Sequence, residues 1–147
     1  LERDGREILL DGAHNPAGAA ALATAIDDLL PFLAGGGAPP LTLVVGAMAD
    51  KDVDGIARAL AGSAAVRAAR IIATRVDLPR ALPADDLAAT WRRILPEARV
   101  EAIGSVETAL DAALRDRGGP VVVAGSLYLV GEARRRWVDD PSLRDPE

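Results

Sequence analysis

The chain has 147 residues, half of them hydrophobic, and a formal net charge of −5 at pH 7. This length suits one domain with a sizeable apolar core, and the acidic balance argues against non-specific binding to nucleic acid. The absence of cysteine excludes disulfides and thiolate metal sites and is typical of a cytoplasmic protein. The sequence has no signal peptide and no apolar run that is long enough to cross a bilayer.

Apolar runs alternate with amphipathic segments along the chain. The pattern predicts six strands, at residues 1–3, 7–10, 41–45, 69–73, 99–103 and 120–124. It predicts five helices, at residues 16–33, from 52, from 83, from 105 to the Gly118-Gly119 pair, and from Gly125-Ser126 to about 137. Asp4-Gly5 is a hairpin signal, so residues 1–3 could pair antiparallel with residues 7–10.

The first helix has an apolar face at helical spacing. Its members are Leu22, Ile26, Leu29, Leu30 and Leu33. Pro31 lies within this pattern, which predicts that the helix ends or kinks there.

Strand and helix alternate five times, which predicts an α/β fold. We expect a Rossmann-like, mostly parallel sheet of five to six strands, with helices on both faces and an antiparallel strand at the N-terminal edge. The domain is predicted to span residues 1–138, and residues 139–147 form a polar tail. Because the chain opens at Leu1 and enters a strand almost at once, we expect it to be a piece of a longer protein.

Polar residues follow four of the predicted strands. They are Asp11 and His14, the segment from Gly46 to Asp52, Thr74 and Arg75, and Gly125 and Ser126. A parallel sheet brings the carboxyl ends of its strands to one edge, where ligands bind in open α/β folds. Polar residues also appear wherever buried strands reach the surface, so each cluster alone could be only a loop. Together they favour a binding edge.

The stretch around the only histidine is the strongest of these candidates. Asp11 could accept hydrogen bonds from ribose hydroxyls, or it could be a turn aspartate. His14 could bind a phosphate or a sugar or act as an acid-base group, or it could be a surface residue at a helix entry. Asn15 is predicted to cap the helix that begins at Pro16.

Two later segments could bind an anion. Lys51 could contact a carboxylate or phosphate, or it could belong to a solvated charge cluster. The Ser126 hydroxyl and the backbone amides beside it suit a carboxylate, although Ser126 could be an ordinary N-cap. Tyr128 could line that pocket or simply pack against its neighbours.

The sequence contains no phosphate loop of the G-x-x-x-x-G-K-[ST] type and no G-x-G-x-x-G fingerprint. One histidine without cysteine makes a zinc site improbable, and no G-x-S-x-G elbow is present. The residues therefore indicate a face that binds a nucleotide and an anion, without a complete catalytic apparatus.

Three strings occur in the order of one known family: Leu10-Asp11-Gly12-Ala13-His14-Asn15-Pro16, Gly46-Ala47-Met48-Ala49-Asp50-Lys51-Asp52 and Gly125-Ser126-Leu127-Tyr128-Leu129-Val130-Gly131-Glu132. The chain resembles the C-terminal domain of folylpolyglutamate synthase/dihydrofolate synthase, in the Mur ligase superfamily. The resemblance implies an ATP- and magnesium-dependent ligase of folate biosynthesis and one-carbon metabolism. Such an enzyme phosphorylates a dihydropteroate or folate carboxylate, and L-glutamate attacks the acyl phosphate.

The same resemblance implies roles for four residues. Asp11 corresponds to a nucleotide ribose contact and His14 to a catalytic and nucleotide-side residue near the reacting phosphate. Ser126 corresponds to the glutamate carboxylate site, and Lys51 to a substrate or interdomain contact. Tyr128 is nominated as a substrate-binding residue from its position beside Ser126 alone.

The resemblance also implies where the other parts of the enzyme lie. The phosphate loop and the magnesium ligands belong to an N-terminal domain outside this chain, so we expect the chain alone to be inactive. The full-length enzyme is expected to be a cytoplasmic monomer. The alternatives are a peptidoglycan-type Mur ligase and a non-catalytic Rossmann-like binding module.

Overall fold

The computed structural model of the chain describes residues 2–3, 6–33, 40–115 and 119–138. The predicted Asp4-Gly5 turn, most of the glycine-rich loop after the first helix and the tail from residue 139 lie outside these residues. Within them, no helix combines the length and the apolar character that a membrane crossing requires.

A six-stranded sheet forms the centre of the fold. Its strands are β1 (Glu2–Arg3), β2 (Arg6–Asp11), β3 (Thr42–Val45), β4 (Arg70–Ala73), β5 (Arg99–Ala102) and β6 (Val121–Ala124). Their order across the sheet is β1-β2-β6-β3-β4-β5. Strands β2 to β6 run parallel to one another, and β1 pairs antiparallel with β2. The predicted α/β class, mostly parallel sheet and antiparallel edge strand are confirmed.

Six helices connect or follow the strands in the described residues. They are α1 (Pro16–Leu33), α2 (Val53–Leu60), α3 (Ala64–Arg67), α4 (Ala84–Ile94), α5 (Val106–Arg115) and α6 (Leu127–Trp137). Five correspond to predicted helices, and the short α3 was not predicted. Helix α1 continues two residues past Pro31.

One predicted inward-facing residue of α1 is exposed. Leu22 and Ile26 are buried, as predicted, whereas Leu29 is 42% exposed. Asp27 and Asp28, which precede it, are exposed too, so this turn presents a solvent-facing side at Leu29.

The core has two layers, one on each face of the sheet. Helices α1, α2 and α4 pack on one face, and α5 and α6 pack on the other. Alternate residues of one strand serve the two layers: Val122 belongs to the first and Val123 to the second. Burial on both faces explains why β6 is a continuous apolar run in the sequence and why β3 is apolar after Thr42.

The strand order creates a crevice at the carboxyl edge of the sheet. Strand β6 lies between β2 and β3, and Val122 pairs with Leu9 on one side and with Leu43 on the other. The chain leaves β2 and β3 toward helices on one face and leaves β6 toward α6 on the opposite face. Such a divergence of neighbouring connections is where α/β sheets bind ligands.

Candidate functional site: a cleft at the carboxyl edge of the sheet

Four connections, those after β2, β6, β3 and β4, meet around this crevice. They enclose a cleft of about 220 Å³. It is lined by His14, Met48, Asp50, Lys51, Arg80, Gly125, Ser126, Leu127 and Tyr128. The structure thus brings together four of the five residues that the sequence nominated: His14, Lys51, Ser126 and Tyr128.

The β2–α1 turn is held by its own polar side chains. The Asp11 Oδ1 atom accepts a hydrogen bond from the Ala13 N–H at 2.9 Å. The Asn15 Oδ1 atom accepts from the Gly18 N–H at 2.8 Å, which agrees with its predicted role as the cap of α1. Asp11 therefore stabilises the turn, as its alternative interpretation stated. It is not among the residues that line the cleft.

His14 is half-buried, and its contact within the same turn sets the proton position on its ring. The His14 Nδ1 atom lies 2.9 Å from the Gly12 carbonyl oxygen. Because a carbonyl only accepts, this hydrogen bond places a proton on Nδ1. In the neutral ring, Nε2 is then the acceptor that can meet a ligand in the cleft.

Ser126 begins helix α6 and is only 2% exposed. Its Oγ atom accepts from the Tyr128 N–H at 3.1 Å and from the Leu129 N–H at 3.4 Å. These two bonds use the acceptor capacity of the hydroxyl and leave its proton to be donated. Ser126 is an N-cap, as its alternative interpretation stated, and its remaining donor is of the kind that a carboxylate requires.

Two glycines let the strands of the crevice end close together. Gly125 has a φ of 101°. A Cβ at this position would overlap the Gly46 carbonyl oxygen at the end of β3. Only glycine combines this conformation with so close an approach of two backbones.

The β3–α2 connection supplies the charged part of the cleft. Asp50 and Lys51 are exposed, and the Lys51 N–H donates to the Met48 carbonyl at 3.1 Å. The next residue, Asp52, caps α2 by accepting from the Gly55 N–H at 3.0 Å. Lys51 thus extends from a short turn that is fixed at both ends.

Sequence reasoning missed Arg80, which lines the cleft beside Lys51. The β4 candidates that it named, Thr74 and Arg75, do not line the cleft. Thr74 is fully buried, and its Oγ1 atom has no hydrogen-bond partner within the described part of the chain. Arg80 could have been nominated from the sequence because it lies in the connection after a parallel strand. It is separated from the end of β4 by six residues, whereas the candidates that were named follow the strand directly.

The described residues contain no group of three or more histidine, aspartate or glutamate side chains that could hold a metal ion. The lining of the cleft includes one histidine, two hydroxyl groups (those of Ser126 and Tyr128), two cations and one carboxylate. This set can bind and orient an anionic ligand and can move a proton at His14 Nε2.

Fold and cleft together define a Rossmann-like α/β domain with a polar crevice at the point where its connections diverge. The chain belongs to the family described as Mur ligase, glutamate ligase domain, whose model matches residues 1–127. This finding confirms the superfamily indicated by the three sequence strings.

Similar proteins agree with this assignment. The chain is 38% identical over 133 residues to a probable bifunctional folylpolyglutamate synthase/dihydropteroate synthase of Haloferax volcanii, a match covering 88% of this chain and 14% of that protein. The folylpolyglutamate synthase of Mycobacterium tuberculosis, solved with ADP and AMPPCP, matches with a TM-score of 0.70 and 29% identity over 95% of this chain and 30% of that one. The bifunctional folylpolyglutamate synthase/dihydrofolate synthase of Yersinia pestis, solved with AMPPNP and a Mn ion, matches with a TM-score of 0.67 and 25% identity over 88% and 28%. The resemblance to folylpolyglutamate synthases is confirmed, and the chain spans less than a third of each of these relatives.

Proposed function

We propose that this chain is the C-terminal domain of an ATP-dependent ligase that adds L-glutamate to dihydropteroate, to folates or to both. The family to which the chain belongs and the names of its relatives support this assignment. Because the chain covers only a part of those proteins, the reaction belongs to a longer protein that contains it.

The cleft is the observation that carries the proposal. Ser126 presents a hydroxyl donor at the N-terminus of α6, and Lys51 presents an ammonium group to the same space. Both groups are complementary to the carboxylates of an amino acid. We assign the incoming glutamate to this cleft, with Ser126 and Tyr128 beside the carboxylate nearer its amine.

The β2–α1 turn is assigned to the nucleotide side of the site. One carboxylate oxygen of Asp11 is engaged by the Ala13 N–H, and a carboxylate has a second oxygen that can accept from a ribose hydroxyl. We assign His14 Nε2 to the side of the reacting phosphate, where the imidazolium form, with a proton on both ring nitrogens, would donate to a phosphate oxygen. Relatives solved with ADP, AMPPCP or AMPPNP support a nucleotide in the parent enzyme, and a relative solved with Mn supports a divalent metal.

The metal is assigned to Mg²⁺ held outside this chain. The described residues contain no cluster that fits a metal ion, and the sequence contains no phosphate loop. We therefore propose that the N-terminal domain supplies the magnesium ligands and the phosphate-binding loop. The metal would neutralise charge on the transferred phosphoryl group.

The reaction has two steps. Transfer of the γ-phosphoryl group of ATP to the pterin-linked carboxylate gives an acyl phosphate and ADP. The glutamate amine then attacks the acyl carbon, an amide bond forms, and inorganic phosphate leaves with the electrons of the broken C–O bond and takes up the proton that the nitrogen loses. This domain binds the amine donor and closes over the other half, so that water is excluded from the acyl phosphate. On its own, therefore, the chain does not catalyse.

The parent enzyme is proposed to act in the cytoplasm as a monomer. The proposed reaction consumes ATP, which the cytoplasm supplies. The large hydrophobic side chains exposed in the described residues are Leu29, Leu127 and Tyr128, and two of these line the cleft instead of a separate docking surface.

Glutamate-dependent release of ADP by the full-length parent tests the proposal. Dihydropteroate and a reduced folate are offered separately, and we expect turnover with at least one of them. The His14→Ala variant should lose roughly a hundredfold in turnover because a group beside the reacting phosphate is removed.

Asp11 is tested in two forms. Asp11→Asn keeps an oxygen for the Ala13 N–H but has no second acceptor for a ribose hydroxyl, so both Asp11→Asn and Asp11→Ala should raise the KM for ATP by about tenfold. Turnover that is unaffected by these changes would limit the turn to a structural role. No turnover with either acceptor would contradict the folate assignment, and turnover with a nucleotide-linked acceptor instead would favour a Mur-type ligase.

A further inference from the structure

One peptide unit of the β2–α1 turn is contacted by two of the polar side chains of that turn. This unit joins Gly12 to Ala13, so it carries the Gly12 carbonyl and the Ala13 N–H. The Ala13 N–H donates to the Asp11 Oδ1 atom at 2.9 Å. The Gly12 carbonyl oxygen lies 2.9 Å from the His14 Nδ1 atom. The proton position on the imidazole therefore depends on how this peptide unit is oriented.

A leucine of helix α6 packs on the same peptide unit from outside the turn. A Cβ at Gly12 would overlap the Leu127 Cδ2 atom, so this methyl group occupies the space beside the Gly12 Cα. The contact follows from the sheet, because β2 and β6 are neighbours and Asp11 pairs with Ala124 at their ends. The start of α6 is thereby brought against the turn.

Leu127 can be changed without disturbing the core. It is 60% exposed, and it is the first residue of α6, directly after the Ser126 cap. It lines the cleft together with His14. Truncation of so exposed a side chain opens no buried cavity, and it removes the methyl group that lies on Gly12.

The hydrogen bond from the ring to the turn decides which nitrogen of His14 is available to the cleft. A carbonyl oxygen can only accept, so Nδ1 keeps its proton while this bond persists. The proton that the imidazole gains or loses is then the one on Nε2. If the peptide unit turned away, the neutral ring could carry its proton on Nε2 instead and would lose its fixed orientation.

We propose that Leu127 is a positioning residue, which holds the Gly12 peptide unit in place and so keeps the proton of neutral His14 on Nδ1. The tautomer is a property of this chain, whereas the consequence for the reacting phosphate rests on the proposed function. The first turn of α6 thus serves both sides of the cleft. Ser126 lies on the proposed amino-acid side, and Leu127 supports the proposed nucleotide side.

Two-bond proton–nitrogen NMR spectra of the imidazole measure the tautomer directly. His14 is the only histidine, so an isotope-labelled sample without a histidine tag gives a single imidazole. At about pH 9 an imidazole is neutral, and a hydrogen bond of ordinary strength should favour the Nδ1–H over the Nε2–H tautomer by roughly fivefold. In Leu127→Ala this tautomer ratio should fall toward one. A wild-type ring that is mainly Nε2–H, or an unchanged ratio in Leu127→Ala, would overturn the proposal.

Two further leucine variants are the controls. Leu127→Met keeps a long apolar side chain that can reach Gly12, so the tautomer ratio should stay near the wild-type value. Leu29→Ala makes the same truncation at another exposed leucine, about 20 Å along α1 from its first residue, and should not change the ratio. An equal fall in Leu29→Ala and Leu127→Ala would show a general effect and would overturn the role of Leu127.

Gly12→Ala tests the contact from its other side. Among the described glycines only Gly125 has a positive φ, so alanine fits the backbone at residue 12 and its Cβ displaces the Leu127 methyl group. The tautomer ratio should fall as it does in Leu127→Ala. If both changes break one contact, the double variant shows no more than the larger single effect. Multiplication of the two single effects would contradict the proposal.

Steady-state kinetics of the full-length ligase test the consequence for the reaction. Leu127→Ala should lower kcat by roughly fivefold or more, because the ring loses its orientation as well as its tautomer. In a His14→Ala background the same change should lower kcat by less than about twofold, since Leu127 acts through the imidazole. Equal losses in both backgrounds would refute the positioning role in the reaction. Absence of glutamate ligation by the wild type would refute the proposed function, and the tautomer measurement would still decide the role of Leu127 in this chain.

Discussion

At the scale of single residues, the crevice depends on Gly125. Its positive φ and its approach to the Gly46 carbonyl let β3 and β6 end side by side, and Ser126 begins α6 immediately afterwards. The direction of the Ser126 hydroxyl therefore depends on the backbone conformation of Gly125, a residue that has no side chain.

Gly125→Ala is expected to lower the free energy of unfolding of this chain by roughly 2–4 kcal/mol. A left-handed conformation costs an alanine about 1–2 kcal/mol, and the overlap with a backbone carbonyl adds to it. Urea unfolding followed by circular dichroism measures the change. Gly104→Ala is the control, because a Cβ there meets no heavy atom within 4 Å and the expected change is within about 0.5 kcal/mol. Equal effects at the two glycines would contradict this explanation.

Residue chemistry also limits what the sequence could predict. The roles of Asn15 and Ser126 as caps follow from residue type and position, and the structure has both. The side-chain partner of Arg80 could not be predicted, because Asp50 is 30 residues away on another connection.

At the scale of elements, the short helix α3 depends on a side chain of α1. The Asp27 Oδ1 atom accepts from the Ser63 hydroxyl at 2.7 Å, and the Asp27 carboxylate also accepts from the Ala64 and Ala65 N–H groups at 3.2 Å. Ser63 in turn caps α3 through the Val66 N–H at 3.1 Å. A four-residue helix is too short to produce an apolar period, which is why the sequence did not predict it.

These hydrogen bonds, above all that from Ser63, hold the pKa of Asp27 below its ordinary value. A carboxylate whose pKa is lower in the folded state stabilises that state above the unfolded pKa, and the contribution is lost as the pH falls through the folded pKa. The free energy of unfolding should therefore fall below about pH 4 by more in the wild type than in Asp27→Asn.

At pH 7 we expect Asp27→Asn to cost roughly 0.5–1 kcal/mol, a value reduced by the exposure of the carboxylate. Urea unfolding at pH 7 and pH 3 measures both effects. Asp28→Asn, at the adjacent exposed position, is the control. The same pH dependence in both variants would contradict the assignment to Asp27.

At the scale of the whole molecule, the alternation of strands and helices was predictable and the order of the strands was not. Apolar runs and caps locate β3 and β6 in the sequence, but nothing local states that β6 inserts between β2 and β3. That insertion places Ser126 between His14 and Lys51. The sequence could nominate these residues as members of one edge, and the tertiary pairing of strands brings them into one cleft.

We propose that this cleft receives the incoming glutamate. This claim is tested most directly by the KM for L-glutamate in the full-length ligase with Ser126→Ala, compared with Ser105→Ala. Both serines accept a hydrogen bond from a backbone N–H at the start of a helix, Ser126 in α6 and Ser105 in α5. Each substitution should cost about 1 kcal/mol of stability.

Only Ser126 lines the cleft. If glutamate binds there, Ser126→Ala raises the KM for L-glutamate by about tenfold through the loss of a hydrogen bond to a charged group, while Ser105→Ala leaves it unchanged. An unchanged KM in Ser126→Ala, or an equal rise in both variants, would contradict the claim.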